Sequence, residues 1–155
     1  MTENDLIRHI PHEDATCTTT WRIDQHYPMK ENEDRYPGET WISVGRLTPI
    51  DPYPIPYRCF YSKDVPNLFM AGRDISVTHV AFGSIRVMRT CGMMGEVVGM
   101  AASICSKRGV LPRDIYTTYF EDLKALMRKG TGRTDLPYTQ FYHQVDRVGH
   151  QAEDR

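Results

Sequence analysis

The strongest constraint on this chain is a predicted helix with glycine on one face. Gly92, Gly95, Gly99 and Ala102 recur at spacings of three, four and three. Residues at these offsets share a helix face. Each interior glycine costs about 0.8–1 kcal/mol relative to alanine. A helix carries three such losses on one face where another backbone or a flat ligand must come very close. In membranes the pattern marks helix dimerisation, but Arg89 and Glu96 within the segment exclude that setting. The spacing predicts a long helix over 86–108, stopped by Lys107, Arg108 and Gly109.

Upstream, residues 68–72 (LFMAG) read as a short buried strand ending in a tight glycine turn. Residues 73–85 then read as a polar loop. Backbone N–H groups and the dipole at a helix start favour negative charge. Gly83 and Ser84 stand just before that start, and Arg86 and Arg89 follow it.

The rest of the chain is organised more loosely. Residues 1–20 are polar and read as loop, residues 21–28 hold a short strand, and residues 29–39 form a surface loop ending in Pro37-Gly38. Residues 40–46 alternate as a short strand, and residues 57–61 also read as a strand. Prolines at 49, 52, 54 and 56 exclude a helix or central strand. That stretch is expected to be extended and pinned by Tyr53, Ile55 and Tyr57, either as a rigid cover strip or as a ligand for an SH3-like partner. A second helix is predicted over 112–129, with Pro112 at its first position and Gly130 closing it. Residues 131–155 read as an extended polar tail anchored by Tyr138, Phe141 and Tyr142.

Length and composition bound the function. The 155 residues suit one domain. With 19 basic and 20 acidic residues the net charge is -1, so no basic field draws nucleic acid or anionic lipid. The cysteines at 17, 59, 91 and 105 form no CxxC pair, which argues against a zinc or iron–sulfur site and for reduced thiols. Residues 1–16 lack the apolar core of a secretory signal, and no stretch is apolar enough for a membrane span. A cytoplasmic protein is expected.

The run NLFMAGRDISVTHVAFGSIRVMRTCGMMGEVVGMAA resembles the C-terminal FAD-contacting segment of bacterial FAD-dependent oxidoreductases of the glutathione-reductase-like superfamily. WRIDQHYP, PYPIPYRCFYSKDV and LPRDIYTTYFEDLKALMRKG are also similar to that group, so the likeness covers about residues 18–130. It implies a mixed α/β fold: the C-terminal part of an FAD/NAD(P)-binding Rossmann-like domain, plus strands of a substrate-side domain. The expected division is a polar start at 1–17, substrate-side strands at 18–61, the FAD segment at 62–110, a second helix at 111–130 and the tail at 131–155. It implies FAD as cofactor and hydride transfer from an unknown small-molecule substrate. Ala71, Gly72, Arg73, Asp74 and Ser76 would then meet the ribityl and pyrophosphate part, and Gly83, Ser84, Ile85 and Arg86 the flavin ring. His79 would touch flavin or act as acid/base on substrate, with a bond to the loop backbone as the alternative. Such enzymes open with a strand–GxGxxG–helix unit that cradles the pyrophosphate. No GxGxxG follows a strand here. The chain therefore reads as the C-terminal part of an oxidoreductase, with Met1 an internal methionine or the other FAD-binding half on a partner subunit. In related flavoproteins an acid follows the strand's glycine directly, whereas here Arg73 precedes Asp74.

Alternative readings stand beside these. Arg73 either binds phosphate or pairs with Asp64 or Asp74. Ser76, Thr78 and Ser84 bond ligand oxygens or cap the local backbone. Cys91 is either a reactive thiol near a helix start or a buried structural one. Asp24 and His26 make a D-x-H triplet that suits structural pairing or, with His79, a metal-dependent hydrolase. A non-enzymatic interaction module would use the small-residue face and the proline strip as an interface.

Overall fold

The computed structural model describes residues 1–30, 37–38 and 43–131. The element order is α1 (Glu3–Ile7), β1 (Ala15–Thr19), β2 (Ile23–Pro28), β3 (Ser43–Thr48), β4 (Tyr53–Pro56), a 3-10 turn (Tyr57–Cys59), a second one (Gly72–Asp74), α2 (His79–Ile85), α3 (Met88–Arg108), α4 (Pro112–Thr117) and α5 (Phe120–Lys129). The fold is mixed α/β. Among the described residues the two sheets are two-stranded and antiparallel, β1 with β4 and β2 with β3. No parallel sheet forms among them.

The start of the chain is structured, against the loop expected from its polarity. β1 is buried along its whole length. Threonine suits a strand because its branched side chain packs on a pleated surface. Two of its three hydroxyls are satisfied by distant backbone: Thr16 Oγ1 donates to the Ile55 carbonyl at 2.6 Å, and Thr19 Oγ1 to the Ser84 carbonyl at 2.7 Å. Local sequence carries no sign of those partners. α1 is held at its start by the Asp5 carboxylate, which accepts from the Thr2 N–H at 2.6 Å and hydroxyl at 3.0 Å.

The proline strip is extended, with Pro54 facing Thr18 and Pro56 facing Ala15. Proline tolerates this edge position because it owes no N–H to a further strand. Tyr53, Ile55 and Tyr57 are fully buried. Residues 57–61 depart from the strand expected there. They turn as a 3-10 helix, and the Tyr57 hydroxyl donates to the Pro112 carbonyl at 2.8 Å. The strand expected at 68–72 reduces to one bridge, Tyr61 to Phe69, before Gly72 turns at φ 81°.

α3 is the spine. Met93, Met94, Val97, Ala101 and Ile104 are its buried face. They meet Cys17 and Ile55 from the strands, and Ile115, Leu123 and Met127 from α4 and α5. A smaller cluster joins Leu6, Ile23, Tyr53 and Ala81. Two helix boundaries differ from expectation. Residues 79–85, expected as loop, form α2, capped by Thr78 Oγ1 accepting from the Ala81 N–H. The helix expected over 112–129 breaks at Thr118 and Tyr119, whose backbone leaves the helical region at φ -135° and -115°. α3 ends at Gly109, in the left-handed region at φ 66°. The expected tail from 132 onward, the strand start at 40–42 and most of the loop at 29–39 lie outside the described residues.

Candidate functional site

Side chains at i and i+2 of a strand share a face. On β2 this sets Asp24 and His26 side by side. β2 and α2 are held tightly together. Gln25 Nε2 donates to the Val80 carbonyl at 3.1 Å. At Gly83 an added Cβ would stand 2.5 Å from the Asp24 carbonyl oxygen and 2.9 Å from its nitrogen. Only glycine allows that approach.

Between them opens a cleft of about 250 Å3. Asp24, Gln25 and His26 form one wall; His79, Phe82 and Gly83 of α2 form the other, and Arg73 and Arg86 complete the rim. Arg86 Nη2 donates to the Asp24 carbonyl at 3.3 Å and lies 3.7 Å from its Oδ2. His26 Nε2 lies 2.9 Å from Asp24 Oδ1. That contact is off the line of a hydrogen bond, so Oδ1 is buried without a donor and the pair is ionic when the imidazole is protonated. Gly45 opposes His26 across the sheet, and its missing Cβ leaves room for the ring, which would otherwise stand 3.2 Å away. The His79 ring lies 5.9 Å from that of Tyr27.

Two guanidinium groups face a single carboxylate here. With both imidazoles neutral the cleft is cationic. Arg73 makes no ion pair with Asp64 or Asp74; its guanidinium lies 5.6 Å from the centre of the Phe82 ring. It is the charge in the cleft most available to a ligand.

Four of the residues expected at the site, Arg73, His79, Gly83 and Arg86, converge on this cleft. The others do not line it. Ala71 and Gly72 precede it on the turn, and Asp74 and Ser76 are exposed beyond its lining. The Ser84 hydroxyl donates to the Trp21 carbonyl at 2.7 Å, and Ile85 is fully buried in the core. Gln25 and Phe82 had no signal of their own in the sequence. Asp24 and His26 had one, their spacing of two on a strand, but nothing local showed what they face.

Burial raises Cys91, against the opposing charge of Arg73, and pushes Cys17 up to about 12. Among the described residues no group of three or more His, Cys, Asp or Glu is arranged to hold a metal, so Asp24, His26 and His79 do not form a ligand set. Among them, too, no helix is long and apolar enough to cross a membrane.

No curated protein and no solved structure matches the chain. Residues 1–127 match the family model described as FAD dependent oxidoreductase, and the family's cofactor is FAD. The match runs through both walls of the cleft and the core beneath it: the chain belongs to the FAD-dependent oxidoreductase family.

Proposed function

We propose that this chain forms one wall of the redox site of a hydride-transferring flavoenzyme, and that another segment or subunit supplies the rest of the FAD cradle. The observation that carries this is the convergence of Arg73, His79, Gly83 and Arg86 with Asp24 and His26 in one cationic cleft. Its donors fit the anionic edge of a reduced flavin or an acidic substrate. Its size does not fit a whole FAD: cavities that enclose drug-sized ligands run about 300–1,000 Å3, against about 250 Å3 here.

When bound, FAD supplies the acceptor for a substrate hydride. The chain's own residues do the positioning and the proton work. Arg73 draws an anionic group to the cleft mouth. Arg86 and Asp24 hold β2 against α2 and keep the walls at a fixed distance. His79, exposed on the α2 wall, takes the proton that the substrate loses as the hydride leaves. The resemblance to bacterial glutathione-reductase-like flavoproteins supports a strand–GxGxxG–helix unit, on a Rossmann-like half, as the missing partner.

The glycine face of α3 supports the same reading. A Cβ added at Gly92, Gly95 or Gly99 would meet nothing within 4 Å. The close neighbour that such a face implies is not among the described residues. The same open face also favours a second reading, an interaction module with no activity of its own.

The test is a visible spectrum after FAD addition and desalting. The isolated chain is expected to emerge colourless, and a mixture with a GxGxxG-bearing half to retain flavin. Stoichiometric flavin on the isolated chain would overturn the incomplete site. A stable complex that stays colourless would favour the interaction module.

A further inference from the structure

A second cavity, of about 370 Å3, lies among the Tyr57–Cys59 turn, the loop after it and the start of α4. Arg58, Lys63 and Arg113 line it, and none of its described lining residues is acidic. The three cations differ in commitment. Arg58 is spent: its Nε and Nη2 donate to the two oxygens of the buried Asp14 at 2.9 and 2.8 Å. Among the described residues Arg113 and Lys63 have no carboxylate partner. Arg113 is nonetheless placed, with Nη2 3.4 Å from the Lys63 carbonyl and its guanidinium 5.8 Å from the centre of the Tyr61 ring.

The Ser62 hydroxyl suits an anion as well. Ser62 Oγ accepts from the backbone N–H of Asp64 at 3.2 Å and of Val65 at 3.0 Å. Those bonds use its lone pairs and leave its proton to donate outward. Ser76 and Tyr61 add hydroxyls on the same lining. A planar guanidinium fork, a mobile ammonium and donating hydroxyls match the several acceptor oxygens of a phosphate better than the two of a carboxylate. The volume exceeds that of a bare ion and falls in the range of small-ligand sites.

We propose that this cavity binds a phosphate-bearing small molecule through Arg113 and Lys63, at a site separate from the cleft between β2 and α2. Neither a flavin nor a complete redox site is needed for it.

Calorimetric titration of the full 155-residue chain with inorganic pyrophosphate tests it. Saturable binding of one equivalent is expected, weakened about tenfold or more in Lys63→Gln/Arg113→Gln, where two charge-assisted contacts are lost. Both side chains are exposed, so the variant keeps its core. Arg73→Gln, in the other cleft, is expected to leave binding unchanged. Absence of saturable binding, or a loss that follows Arg73→Gln instead, would overturn the proposal. FAD that displaces pyrophosphate would overturn the separateness of the site, whereas glycerol 3-phosphate displacing it with FAD inert would support a phosphomonoester ligand.

Discussion

Gly83 on α2 and Asp24 on β2 touch backbone to backbone, at a distance no side chain can enter. A Cβ at 83 would lie 2.5 Å from the Asp24 carbonyl oxygen, and 3.0 Å from Gln25 Nε2. The neighbour is a strand in a six-pair ladder with β3, so it cannot give way locally. Gly83→Ala is expected to push β2 off α2 and to destabilise the fold by about 1–3 kcal/mol or more, as overpacking does. The urea midpoint checks this, and an unchanged midpoint would mean the two elements separate freely. The same variant should open the cleft and loosen the Arg86 bond to Asp24.

Asp14 and Arg58 form the ion pair on which the N-terminal segment hangs. Asp14 is fully buried, and besides the guanidinium it accepts from the Arg58 N–H at 2.8 Å. The hydrogen bonds to Asp14 raise Arg58 above its ordinary range, against the cost of burial. Removing the guanidinium leaves a buried carboxylate with only a backbone donor. Breaking buried pairs this way costs about 3–5 kcal/mol, so Arg58→Met is expected near the lower end. Asp14→Asn should cost less than Arg58→Met, because an amide needs no counter-charge. The double variant should fall well short of the sum, which a double-mutant cycle in urea would show.

How far the sequence was legible follows from what kind of contact made each element. The long helix α3 was readable because its stop signals, Lys107, Arg108 and Gly109, stand next to one another in the chain. β1 was not, because Thr16 and Thr19 donate to carbonyls 39 and 65 residues away. The rim of the cleft was half readable. Arg73, His79, Gly83 and Arg86 sit close together in the chain, and their likeness to a flavin segment singled them out. Their opposite wall lies on β2, some 60 residues earlier, with a 3.3 Å bond from Arg86 to Asp24 joining the two. Ser84 drew the ligand reading by its position but spends its hydroxyl on Trp21.

Stability should carry two opposed pH signatures. Burial raises Glu96, whose Oε2 has no hydrogen-bond donor among the described residues. Its folded pKa exceeds its unfolded one, so its contribution is full below the ordinary value of 4.5 and is lost as pH rises through the folded value. Glu96→Gln is therefore expected to raise the urea midpoint at about pH 7, with the gain fading toward about pH 4. Asp5 behaves oppositely. Burial works to raise it, but the Thr2 N–H and hydroxyl, His12 and the terminal ammonium hold it below 3.8. Its contribution is present above that value and is lost as pH falls through the folded pKa. Asp5→Asn should cost stability at about pH 7, and the difference should shrink in acid. A Glu96→Gln gain independent of pH would contradict the account.

The glycine face of α3 separates the two readings of the chain. In isolation Gly92, Gly95 and Gly99 are exposed helical positions with nothing within 4 Å of an added Cβ. Gly95→Ala should then stabilise the isolated chain by about 0.8–1 kcal/mol, since only helix propensity changes. In the assembled flavoprotein the same methyl would stand between α3 and the backbone packed on it, so docking should weaken and flavin retention fall. Gly95→Leu should exaggerate both the tolerance in isolation and the loss on assembly. The two readouts are the urea midpoint of the chain alone and the flavin retained by the mixture with its other half after desalting. Stabilisation without any loss of flavin would free this face from a role in assembly and leave its three glycines without an explanation in packing.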